Sequence, residues 1–126
     1  MKKDTAIKLF NDNKVRVQWD EKTEKWYFSV IDVIDNEKLI DNANLVSEYF
    51  LERIKEIPQV KKVKGKGLML GVEFDFDVAE LRKKLIYTHH IFTGGASNKK
   101  LLRILPPLNI KKEQIADLIE ALKEEL

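Results

Sequence analysis

Apolar and polar residues alternate from residue 14 to residue 20. Val15, Val17 and Trp19 fall between Lys14, Arg16, Gln18 and Asp20, which is the two-residue period of a half-exposed strand. Residues 21–24 form a polar turn. The chain then resumes as Lys25-Trp26-Tyr27-Phe28-Ser29-Val30, an aromatic-rich run, so the pattern predicts a β-hairpin over residues 14–30. A lone two-stranded hairpin is marginal in water, and Trp19, Trp26 and Phe28 offer the apolar area for it to pack. Ser29 followed by Asp32 predicts a helix start, because both residues suit the exposed N–H groups of a first turn.

From residue 37 to residue 57 the period changes. Leu39, Ile40, Ala43, Val46, Phe50, Ile54 and Ile57 recur at three- and four-residue spacing, one apolar stripe of a helix that Pro58 ends. Residues 60–64 read as a short polar strand. Gly65-Lys66-Gly67 breaks it, and Leu68-Met69-Leu70-Gly71-Val72-Glu73-Phe74 reads as a central strand in which Gly71 marks a close approach by a neighbour. Val78, Leu81, Leu85 and Ile86 give a second helix its apolar face. Residues 91–93 predict a short strand, residues 94–98 a loop, and residues 101–105 a strand stopped by Pro106-Pro107. Ile115, Leu118, Ile119 and Leu122 mark a terminal amphipathic helix with Asn109 as a possible cap. The predicted fold is α+β: a small antiparallel or mixed sheet with helices on one face, preceded by the N-terminal hairpin.

Composition narrows the classes. The chain has 126 residues, 23 Lys plus Arg against 21 Asp plus Glu, and no cysteine. Disulfides, thiol catalysis and cysteine-based metal sites are excluded. A net charge of +2 does not point to a nucleic-acid partner. No apolar run approaches membrane-spanning length, and Met1-Lys2-Lys3-Asp4 does not open a secretory segment, so the expected location is cytoplasmic.

Several residue groups invite a chemical reading. Arg103 is the only guanidinium in the apolar run Leu101-Leu102-Arg103-Ile104-Leu105-Pro106-Pro107-Leu108. A planar, permanently charged fork suits a carboxylate; the alternative is a solvent-facing strand arginine whose stem covers apolar neighbours, and the pattern slightly favours that alternative. Gly94-Gly95 could admit a ligand close to the main chain or be a plain loop. Gly65-Lys66-Gly67 lacks phosphate-loop spacing and reads as a tight turn. His89-His90 reads as a polar helix end, since adjacent side chains diverge. Asp75 and Asp77 read as turn and helix-start residues. Lys61, Lys62, Lys64 and Lys66 read as a solvated strand edge. No set of metal or cofactor ligands emerges.

Two resemblances add to this reading. Residues 36–126 resemble the C-terminal small domain of acetylornithine/ornithine-type, class-III pyridoxal-phosphate aminotransferases. The likeness runs through Glu37-Lys38-Leu39-Ile40-Asp41-Asn42-Ala43, then Val63-Lys64-Gly65-Lys66-Gly67-Leu68-Met69-Leu70-Gly71-Val72-Glu73, then Phe92-Thr93-Gly94-Gly95-Ala96, and closes on the Arg103 run. It implies that Arg103 binds the substrate α-carboxylate and that Gly94 and Gly95 lie on the active-site side. Lys64 departs from it, where the family more often has arginine. The resemblance also implies a homodimer using pyridoxal phosphate, with the cofactor lysine on a large domain upstream. On that reading this chain alone binds no cofactor, performs no transfer and leaves apolar surface free for self-association. Residues 4–34, through Val15-Arg16-Val17-Gln18-Trp19-Asp20 and Lys25-Trp26-Tyr27-Phe28-Ser29-Val30-Ile31-Asp32-Val33-Ile34, resemble the opening of the Bro N-terminal and damage-inducible protein D-like domain, a group linked to DNA binding. Together they imply two truncated modules, residues 1–35 and 36–126.

Overall fold

A computed structural model describes residues 6–10 and 13–126. The element order is β1 (Ala6–Phe10), β2 (Asn13–Asp20), β3 (Lys25–Phe28), α1 (Val30–Asn36), α2 (Leu39–Arg53), β4 (Lys62–Lys66), β5 (Met69–Glu73), α3 (Ala79–His89), β6 (Leu101–Ile104) and α4 (Lys112–Glu125), with a 3-10 turn at Ile54–Glu56 after α2. The strands form two antiparallel sheets, β1-β2-β3 and β4-β5-β6. The fold is therefore α+β, as the periodicity implied. Two compact units divide it, Met1–Ile40 and Asp41–Leu126.

In the first unit the expected hairpin is β2 and β3, with Trp19 opposite Trp26. Their rings meet with centroids 5.3 Å apart at 58°, a cross-strand pair of the kind that stabilises sheets. Strand β1 adds a third member on the other side of β2. Val15 and Val17 are buried, but Phe28 is 63% exposed and does not supply the packing expected of it. Helix α1 begins at Ser29, whose hydroxyl accepts from the Asp32 N–H, so the cap read from the sequence is present.

In the second unit one core gathers the helices against a single face of the sheet. Ala43, Val46 and Phe50 of α2, Leu81 and Leu85 of α3, and Ile115, Ile119 and Leu122 of α4 are buried together with Leu70, Val72, Leu102 and Ile104 from the strands. Ile40, counted in the α2 stripe, is 61% exposed. The other sheet face carries Lys62, Lys64, Lys66, Met69 and Arg103 outward.

Three local expectations are corrected. Residues 91–93 form no strand. Their backbone groups are engaged elsewhere: the Ile91 N–H donates to Leu85 O at 2.8 Å as the chain leaves α3, and the Thr93 carbonyl accepts from Arg82 at 3.1 Å. Only Gly94 reaches β6. Helix α4 is capped at Lys111 rather than Asn109, because Gln114 Oε1 turns back to accept the Lys111 N–H at 3.0 Å. Helix α2 gives way to a 3-10 turn at Ile54, ahead of Pro58.

Candidate functional site

Arg103 sits inside β6, and its backbone places it in a row that crosses the sheet. Its N–H donates to the Gly94 carbonyl at 2.9 Å and its carbonyl accepts from the Gly94 N–H at 2.8 Å. On the other side Arg103 faces Gly71, and Gly71 faces Lys64. Directly paired residues present their side chains on the same face, so the row reads Lys64, Gly71, Arg103, Gly94 on the outward face. Arg103 thus stands between two residues without side chains. A Cβ on Gly94 would lie 3.1 Å from the Cβ of Arg103, and one on Gly71 would lie 3.1 Å from Leu101 Cδ1, which leans across that position. The close approach at Gly71 expected from the sequence is therefore made by Leu101.

Arg103 is exposed, the solvent-facing strand position that the sequence pattern slightly favours. Lys64 differs in having an acidic partner. Its Nζ lies 2.5 Å from Glu73 Oε2, and this contact holds the Glu73 carboxyl below the usual carboxylate range. The charge of Lys64 is met within the sheet. Among the described residues the Arg103 guanidinium has no carboxylate within ion-pairing distance. An open, unpaired, planar cation with glycine backbone on both flanks can take a carboxylate in a two-point contact.

The loop beside Arg103 is held from its other end by Arg82 on α3. Arg82 Nη2 donates to Thr93 O at 3.1 Å, and its Nη1 lies against Gly95, where an added Cβ would come within 2.8 Å of it. The segment 93–95 is thus fixed between one arginine and the backbone of another. Arg82 carried no local signal in the sequence; it meets a loop eleven residues away.

The remaining candidates take structural places. Gly65 and Gly67 have φ of 119° and 57° in the β4–β5 hairpin, the turn expected of them. His89 Nε2 lies 3.0 Å from Glu125 Oε1, which ties α3 to α4, while His90 has a left-handed backbone and closes α3. Asp77 Oδ1 accepts from the Ala79 N–H at 2.9 Å at the start of α3. Asp75 pairs with Lys61. Among the described residues no group of three or more histidines and carboxylates is placed to hold a metal ion, and no helix is long and apolar enough to cross a membrane.

Comparison with known proteins places this geometry in a family context. The profile of the aminotransferase class-III family matches residues 26–126. An acetylornithine aminotransferase from Aquifex aeolicus is 40% identical over 93 residues, covering 73% of this chain and 24% of that protein. An ornithine aminotransferase from Staphylococcus carnosus is 33% identical over 98 residues, covering 76% of this chain and 24% of its own length. The solved structure of an ornithine aminotransferase from Plasmodium yoelii superposes with a TM-score of 0.63 at 33% identity, over 74% of this chain and 26% of that one. The chain spans about a quarter of the length of the curated relatives it matches.

Proposed function

This chain belongs to the aminotransferase class-III family, and from that premise we propose that residues 36–126 are the small-domain part of an acetylornithine- or ornithine-type aminotransferase, inactive as these 126 residues alone. In this reading Arg103 binds the substrate carboxylate, and Gly94 and Gly95 form the loop that borders it. The observation that carries the proposal is the row Lys64–Gly71–Arg103–Gly94, in which the one unpaired cation is flanked by glycine.

Pyridoxal phosphate supplies the carbanion-stabilising chemistry of amino transfer when bound. Its site requires a lysine for the Schiff base, usually desolvated or otherwise held at lowered pKa. Four lysines of the aminotransferase-like part do not fit that role. Lys64 is tied to Glu73, Lys83 to Glu80 and Lys84 to Glu125, and the Glu80 contact pushes Lys83 upward. Lys66 is exposed on the strand edge. We assign the cofactor lysine to a large domain outside this sequence. These residues are left with binding and orienting a carboxylate, and no proton-transfer step is ascribed to them.

Two experiments test the proposal. Pyridoxal phosphate added to the purified chain should give no Schiff-base absorbance, no borohydride-trappable adduct and no transfer from N-acetylornithine to 2-oxoglutarate; turnover with one trapped lysine would overturn inactivity. Second, residues 36–126 should replace the matching quarter of the Aquifex aeolicus relative and keep transamination. In that chimera Arg103→Lys should lower kcat/KM by about a hundredfold, because one point charge replaces a planar fork. An unchanged value would remove Arg103 from the substrate site.

For residues 1–35 we propose the opening of a Bro N-terminal-like domain on the sequence likeness alone; the aminotransferase class-III match begins at residue 26 and takes in β3 and α1, so the likeness is carried by the residues before it. DNA contact is not part of that proposal. Residues 1–40 hold eight Lys plus Arg and eight Asp plus Glu, a net charge of zero, and phosphate binding rests on excess positive charge. Titration with duplex DNA at low salt should show no binding.

A further inference from the structure

A second group of cationic side chains lies at the start of α3, apart from the Arg103 row. A cavity of about 270 Å³ opens there, lined by Asp77 and Arg82 from the α3 side and by Gly95, Asn98 and Lys99 from the loop before β6. Its walls are fixed. The Val78 N–H donates to Lys99 O at 2.9 Å, Asn98 Oδ1 accepts the Lys100 N–H at 3.0 Å, and Arg82 grips Thr93 O.

The charges of this cavity do not balance. Asp77 is its only acid, and that carboxylate already accepts the Ala79 N–H at 2.9 Å. Arg82 is half-buried, and among the described residues it has no carboxylate partner; its Nε is buried without a hydrogen-bond partner. Lys99 likewise has no ion pair among the described residues. A half-buried guanidinium without a counter-charge is costly, and planar N–H donors match the oxygens of a carboxylate or phosphate.

We propose that the cavity between the start of α3 and the loop before β6 is a binding site for a small oxyanion, held by Arg82 and Lys99. The anion supplies the counter-charge that no group among the described residues provides. It lies against the same loop that pairs with Arg103, so its occupancy also braces Gly94 and Gly95. The proposal concerns Arg82 and is independent of whether Arg103 binds substrate.

The test is a titration of the full chain with inorganic phosphate and, separately, with succinate, followed by the NMR signals of the four arginine Nε–Hε groups and of the Gly95 and Ala96 amides. Chloride at matched ionic strength is the control. Saturable shifts at Arg82, Gly95 and Ala96 with either anion support the site; the preferred one identifies the ligand as phosphate-like or carboxylate-like. Lys99→Gln, an exposed change that leaves packing intact, should weaken the affinity about threefold or more, and Arg82→Gln should weaken it about tenfold or more. Arg103→Gln should leave it unchanged, which separates this site from the substrate arginine. Shifts that are linear, reproduced by chloride, or kept in both the Lys99 and Arg82 variants would overturn the proposal.

Discussion

Gly65 and Gly67 lie two residues apart in the β4–β5 hairpin and are glycine for different reasons. Gly67 has φ of 57° with nothing within 4 Å of an added Cβ, whereas at Gly65, with φ of 119°, a Cβ would run into the Met69 carbonyl. Gly67→Ala should therefore cost only the left-handed penalty, about 1 kcal/mol. Gly65→Ala adds a backbone collision to a conformation nearly reserved for glycine and should cost about 2–3 kcal/mol. Urea midpoints of the two variants check the order; equal losses would show that the hairpin relaxes freely. Arg103→Gln provides the contrast, because an exposed side chain without an ion-pair partner among the described residues should change stability by less than about 0.5 kcal/mol. At this scale the sequence exposed the turn, the close approach at Gly71 and the isolated guanidinium of Arg103. It could not expose the Arg103–Gly94 pairing or the Arg82–Thr93 contact, because each joins residues whose separation has no local period.

Helix α1 has seven residues and none of them is buried. A helix that short does not persist by itself, so its place depends on what fastens it. Asp32 does this by accepting from Arg16: from the backbone N–H at 2.8 Å, from Nε at 2.9 Å and from Nη2 at 2.8 Å. The side-chain contacts of Arg16, then its backbone N–H, hold the Asp32 carboxyl far below the ordinary range. A carboxyl lowered in the folded state contributes fully above its unfolded value, about pH 4, and that contribution is lost as pH falls toward the folded value. Amide exchange at Arg16 should therefore accelerate as pH is lowered below 4 by more than intrinsic exchange accounts for, and Asp32→Asn should show weakened protection already at neutral pH with a flatter acid dependence. Unchanged Arg16 protection in Asp32→Asn would show that the clamp does not hold α1. The cap at Ser29 and Asp32 was legible because it spans three residues. The partner of Asp32 was not, since Arg16 lies in another element.

At the scale of the molecule, the α+β class and the order of most elements followed from two periods, two along the strands and three to four along the helices. What periodicity cannot report is which apolar residues a partner is meant to cover. Tyr87 is 80% exposed, Phe92 82% and Met69 71%, in a chain that spans about a quarter of its relatives. Trp26, Tyr27 and Phe28 are consecutive, exposed and lie on β3, an edge strand of its sheet. Edge strands with free backbone groups and exposed apolar side chains pair readily with other chains. The purified protein should accordingly self-associate as concentration rises, with light scattering during size-exclusion chromatography giving a mass above 14.7 kDa. Phe28→Lys should reduce association if β3 is the contact, because a charge on the edge opposes strand addition; Phe92→Lys should reduce it if the contact lies in the second unit. A monomer at millimolar concentration would mean that neither surface suffices. In that case the exposed aromatic residues would act only when a larger covering partner is supplied.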